Sequence, residues 1–212
     1  MATALSAFLP YVIPWAPGAP RPTVQAKVLD AITELCEESL LLRETLTAFD
    51  LTINIDTYTL TPPAGSDVIM ATSVMVNDKP IWPASEDELD TIDVYWRKGI
   101  VGLPNRWFQP SPTTLRFNRI PDRTLTGGVL VEVATKPTLA STTVDDELYT
   151  EWREHVANGA LWRLLSMRGV EWEDQKIAQE KGIFWNSAIA RAKARARMGK
   201  TRAPTFAKMR TV

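Results

Sequence analysis

The sequence is poor in the residues from which most catalytic and metal centres are built. It has one cysteine, Cys36, and one histidine, His155, in 212 residues. A single cysteine excludes an intrachain disulfide framework and fits a reducing compartment. Its expected role is a small buried apolar residue on a helix. One Cys and one His, with no carboxylate cluster at ligand spacing, leave no metal site. No G-x-S-x-G or related nucleophile motif occurs, and a Cys36–His155 pair would need two distant segments to meet by coincidence. Gly127–Gly128 and Gly199–Lys200–Thr201 lack the full spacing and the strand–loop–helix context of a phosphate-binding loop. Glu151/Glu154 and Glu171/Glu173/Asp174 fall on predicted helix surfaces, where carboxylates are solvated. The expectation is a protein that is not an enzyme, with no cofactor and no metal.

Long apolar runs are also missing. None approaches the ~20 residues of a membrane span, and Met1–Ala2–Thr3–Ala4–Leu5 lacks the basic region of a signal peptide. Acidic residues are absent from one end of the chain. From Arg191 onward stand Arg191, Lys193, Arg195, Arg197, Lys200, Arg202, Lys208 and Arg210, without one Asp or Glu. Eight of the 24 cations lie there, leaving 16 against 25 anions, a net charge of −9, in the body before it. An acidic body thus carries a basic tail, which reads as a docking tail for an acidic protein surface or for nucleic acid. Only Phe206 interrupts it, so the aromatic interleaving of single-strand binders is almost absent.

What is present is patterned. Residues 1–22 hold Pro10, Pro14, Pro17, Pro20 and Pro22, a spacing that predicts an extended, partly polyproline N-terminal arm. Thr23 is the expected N-cap of a helix to about residue 42. Val24, Val28, Ala31, Ile32 and Leu35 form its apolar stripe, with Lys27, Asp30, Glu34, Glu37 and Glu38 on the opposite, solvated face. Near Arg43 the period changes. Leu51, Ile53 and Ile55 alternate, and a phase flip near Asp56–Thr57 predicts a bulge or turn. Strands are expected over Val68–Val76 and Val129–Ala134, with a short helix from Ser85 to about Asp93 opened by a capping box.

A second helix is predicted from the acidic start after Thr143, with Leu148, Trp152, Val156 and Met167 on one face. Gly159 and Ala160 on it would let another helix approach closely. Gly169 breaks the pattern, and Ile177, Phe184, Trp185, Ala188 and Ala192 mark a third helix over about 173–197. The fold class that follows is α+β: a three-helix core from both chain ends (23–45 and 141–197), an inserted, mostly antiparallel β module (46–140) of five to seven strands, and two arms, 1–22 and 198–212. Eight tryptophans are many for this length. Most are expected in the core, but Trp96 and Trp107 flank a glycine-containing loop and are candidate interface anchors.

Several segments in this order resemble the head-to-tail adaptor (connector) proteins of tailed bacteriophages, of the kind with an inserted β module. They are Pro14–Trp15–Ala16–Pro17–Gly18–Ala19–Pro20, Glu34–Leu35–Cys36–Glu37–Glu38–Ser39, Arg43–Glu44–Thr45–Leu46 and Tyr58–Thr59–Leu60. Gly102–Leu103–Pro104, Thr114–Leu115–Arg116–Phe117, Ile120–Pro121 and Lys136–Pro137 follow, and Gly159–Ala160–Leu161–Trp162–Arg163–Leu164–Leu165 with Gly169–Val170–Glu171–Trp172 completes the set. The resemblance spans about 14–198 and carries no catalytic residue. It implies a virion neck protein, assembled in the host cytoplasm into a homo-oligomeric, dodecameric ring below the portal. Such a ring extends the DNA channel, passes double-stranded DNA without sequence-specific binding, and offers tail or nozzle proteins a platform. The C-terminal residues Arg191, Lys193, Arg195, Arg197, Lys200, Arg202, Phe206, Lys208 and Arg210 would then dock on the portal protein. The alternative reading is a nucleic-acid-binding module using the same segment.

Overall fold

The computed structural model describes residues 2–92 and 95–198. In chain order it begins with strand β1 (Ala2–Ala4), a 3-10 turn (Leu5–Phe8), the one-turn helix α1 (Leu9–Val12) and a second 3-10 turn (Ile13–Trp15). Helix α2 (Arg21–Ser39) precedes strands β2 (Arg43–Thr45), β3 (Phe49–Leu51), β4 (Thr57–Thr59), β5 (Ser66–Val76) and β6 (Lys79–Pro83). Helix α3 (Glu86–Ile92) and a third 3-10 turn (Trp96–Lys98) lead to β7 (Arg106–Ser111), β8 (Thr114–Phe117) and β9 (Leu125–Pro137). Strand β10 (Thr143–Asp145) and helices α4 (Asp146–Leu165) and α5 (Gln175–Met198) follow. The class is α+β. The chain divides into two units: one from its two ends, up to Leu41 and from Leu139 onward, and one from Leu42–Thr138.

In the helical unit the N-terminal segment is not the extended arm that its prolines predict. Pro10 and Pro14 each sit in the first turn of a short helix. There the missing N–H has no intrahelical partner to lose, so the prolines start successive turns instead of preventing them. These turns bury Leu5, Phe8, Val12 and Ala16, and the Phe8 ring meets Tyr149 of α4 edge-on at 5.2 Å. The same rule moves the start of α2. Pro22 lies within its first turn and Pro20 is the cap residue, so the helix begins before the expected cap Thr23.

Helices α2, α4 and α5 pack against one another. α2 buries Val24, Val28, Ile32, Leu35 and Cys36, apolar positions at helical spacing. α4 is capped by Asp145, whose Oδ1 accepts the Glu147 N–H at 2.7 Å. Thr143, the expected start, instead pairs with Ala4 in the β1–β10 ladder. α4 ends at Leu165, and Gly169, at φ +75°, takes a left-handed conformation that L side chains adopt at a cost. α5 buries Ala178, Gly182, Trp185, Ala188 and Ala192. Of its predicted stripe, Phe184 is 50% exposed: it lies one position before Trp185, and 100° per residue turns it off the buried line.

Among the described residues the β unit is one eight-stranded sheet in the order β2-β9-β5-β6-β7-β8-β4, with β3 also on β9. That exceeds the five to seven strands expected. Neighbours are antiparallel except β6–β7, which run parallel. Strand β9 is the spine, with β2 and β3 along one edge and β5 along the other. Its Val129, Val131 and Val133 alternate inward, as a half-buried strand requires, and join Leu51, Leu60 and Phe117 in one core. The expected alternation through Ile53 and Ile55 ends early. β3 stops at Leu51, and both isoleucines are over 40% exposed on a turn. Asn54 sits at φ +62° there. The Tyr58 hydroxyl accepts the Thr52 N–H and donates to the Ile55 carbonyl, both at 2.9 Å, so the turn is held from within. At α3 the Glu88 N–H donates to Ser85 Oγ at 3.1 Å, half of the capping box; the predicted end at Asp93 lies outside the described residues.

Candidate functional site: the basic end of the last helix

Burial shifts both of the scarce residues. Burial pushes the Cys36 thiol up to about 12, with Glu37 and Asp145 adding to the effect, so it carries almost no nucleophilic thiolate near neutral pH. His155 on α4 is held below its ordinary value by burial and then by Arg191, against the opposing pull of Glu154. Among the described residues no group of three or more His, Cys, Asp or Glu could hold a metal ion. No helix among them is long and apolar enough to cross a membrane.

The basic run divides in two. Arg191, Lys193, Arg195 and Arg197 form the last turns of α5, whereas Lys200, Arg202, Phe206, Lys208 and Arg210 lie outside the described residues. At 3.6 residues per turn Arg191 and Arg195 share one face of α5, and Lys193 and Arg197 share another. Lys193 reaches α2, with Nζ 2.6 Å from Glu38 Oε2. Arg195 reaches α4, with Nη2 2.5 Å from Glu151 Oε2. Arg191 Nη1 lies 3.3 Å from His155 Nε2. Cations at a helix C-terminus also oppose its dipole. The segment that reads as a free docking tail is thus, over its first turns, tied to its own unit.

Below it, α4 and α5 meet at Gly159. A β-carbon there would fall 2.7 Å from the Trp185 ring, so only glycine admits the indole at this depth. Ala160 beside it is fully buried. Trp185 Nε1 donates to Glu34 Oε2 at 3.0 Å, and the same carboxylate pairs with Arg163, whose Nη1 donates to the Gly159 carbonyl at 2.7 Å. One carboxylate therefore joins all three long helices. Helical spacing places Glu34 on the solvated face of α2; the structure makes it the hub instead. Burial lowers the pKa of Arg163.

Trp96 and Trp107, the candidate interface anchors, are 3% and 5% exposed. Trp96 donates to Asp90 Oδ1 at 2.7 Å and stacks edge-on against Phe108 at 5.3 Å. The guanidiniums of Arg97 and Arg116 lie over its ring. Trp107 donates to the Ile81 carbonyl at 3.2 Å. Both rings are packed inside the β unit. The indoles at the surface are Trp82, 69% exposed, and Trp15, 50% exposed under the Lys181 ammonium at 4.1 Å. In Lys79–Pro83 the half-buried Ile81 and Trp82 are adjacent, and adjacent strand residues point to opposite faces, so Ile81 facing the core turns Trp82 outward.

No curated protein matches the chain. A family model does, described as SU10 adaptor protein, over residues 3–207. That interval takes in nearly all of both units and the basic end of α5, and it agrees with the resemblance to head-to-tail adaptors carried by the ordered segments. The chain belongs to the SU10 adaptor protein family.

Proposed function

We propose that this chain is a structural virion protein, a head-to-tail adaptor in the neck of a tailed bacteriophage. Copies of it form a dodecameric ring below the portal, extend the DNA channel and present a platform to tail or nozzle proteins. The observation that carries this reading is the match of an adaptor family model to nearly the whole chain. The charge distribution supports it. A body of net charge −9 suits a conduit that DNA must traverse without sticking, while an acid-free basic end suits docking on an acidic surface of the portal.

Electron microscopy of the protein mixed with portal protein tests the reading. A ring-shaped complex is expected; folded chain that yields none rejects it. The competing reading, a nucleic-acid-binding module, draws on the same eight cations, two of which are neutralised by Glu38 and Glu151. Truncation after Gly199 with DNA titration at rising salt separates the two. The adaptor reading expects no salt-sensitive DNA affinity that depends on the tail.

A further inference from the structure

Beyond Trp185, the residues that α5 buries are Ala188 and Ala192. Each contributes one methyl, so little apolar surface secures the last turns. Ion pairs flank this thin contact on both sides: Lys193 with Glu38 of α2, and Arg195 with Glu151 of α4. All four side chains retain between 28% and 50% exposure, so solvent and salt reach them. An exposed pair shifts an equilibrium by a factor of only about two to five. The end of α5 is therefore held by contacts that are specific in position and individually weak.

We infer that this end of α5 is a releasable clasp, in which Glu38 and Glu151 hold Lys193 and Arg195 as internal stand-ins for a carboxylate-bearing partner surface. Docking exchanges those carboxylates for the partner's, and the observed affinity is the intrinsic affinity reduced by the fraction of clasps that are open. The inference rests on the portal-docking reading and adds its regulation: the acidic residues on α2 and α4 set how readily the basic segment becomes available. Salt then acts twice, opening the clasp and weakening the docked pairs, so that docking depends on salt less steeply than its cation count implies.

The test compares the full-length wild type with the double variant Glu38→Gln/Glu151→Gln, which keeps side-chain shape and removes both charges. By hydrogen-exchange mass spectrometry, amides over 188–198 are expected to exchange about four- to twenty-five-fold faster in the variant, with the buried middle of α4 unchanged. About 0.5 M NaCl should move the wild type the same way. Portal protein is then titrated into both, and the variant is expected to bind several-fold more tightly. Equal exchange in the two proteins overturns the clasp. Faster exchange with unchanged or weaker portal binding overturns its coupling to docking and leaves the adaptor reading standing. Portal that binds neither protein rejects the adaptor reading, and the inference falls with it.

Discussion

The ring of Trp185 occupies the space that a side chain on Gly159 would need: a β-carbon there would stand 2.7 Å from the indole. Trp185 cannot withdraw freely, because it is fully buried and its Nε1 is bonded to Glu34. Gly159→Ala gains about 1 kcal/mol of helix propensity but forces the overlap, which costs about 1–3 kcal/mol or more. The expected outcome is net destabilisation, read as a lower urea midpoint with an unchanged slope. A midpoint at or above that of the wild type would show that the two helices slide apart at little cost.

Glu34 accepts from a tryptophan on α5 and pairs with an arginine on α4. Glu34→Ala takes this acceptor from both donors at once, a loss of about 1–3 kcal/mol for each. Glu34→Gln keeps one oxygen acceptor for Trp185 and removes only the charge, so its loss should be smaller. Denaturant curves for the two variants, measured alongside Arg163→Ala in a double-mutant cycle, give the coupling. A coupling near zero would contradict a shared hub.

His155 predicts a pH dependence. Burial and Arg191 hold its folded pKa below the ordinary value, which is about 6.5 in the unfolded chain. Above that value both states are neutral and the full stability is present. As pH falls from about 6.5 through the folded pKa, the unfolded chain binds more protons and stability drops. His155→Gln should flatten this decline between about pH 7.5 and pH 5. Identical slopes of urea midpoint against pH in the two proteins would remove His155 as the cause.

Cys36 is fully buried with a thiol pushed up to about 12. A disulfide reagent such as Ellman's should leave the native protein unlabelled at pH 8 and modify one thiol per chain on unfolding. Labelling of the native state at a rate comparable to the unfolded one would mean that α2 opens locally.

Much of this architecture is visible in local pattern. Alternation in Val129, Val131 and Val133 announces β9, the capping-box spacing after Ser85 announces α3, and the acidic start Asp145–Asp146–Glu147 announces α4. These signals survive because each reports on neighbours within a few residues, where backbone geometry alone decides which side chains share a face. The errors have an equally local source. Proline spacing between residues 10 and 22 predicts an extended arm if every proline breaks a helix, yet Pro10, Pro14 and Pro22 occupy first turns where they are tolerated. Ile53 and Ile55 extend an alternating pattern past the point where Tyr58 closes the chain into a turn.

The basic run could be read without any fold. Net charge and its segregation follow from which residues stand where along the chain, and the resemblance that the family match bears out rests on ordered segments of it. The fate of individual side chains could not be read in this way. Glu34 looks solvated on its own helix and becomes the hub because residues 129 and 151 positions away arrive beside it. Trp96 and Trp107 flank a glycine-containing loop and read as candidate interface anchors, but the sheet folds Phe108 and the Ile81 carbonyl onto them. Lys193 and Arg195 look free and are met by Glu38 and Glu151. Whether a charge or a ring is solvated depends on which surfaces packing brings within a few ångströms of it, and that is settled by contacts between segments far apart in the chain.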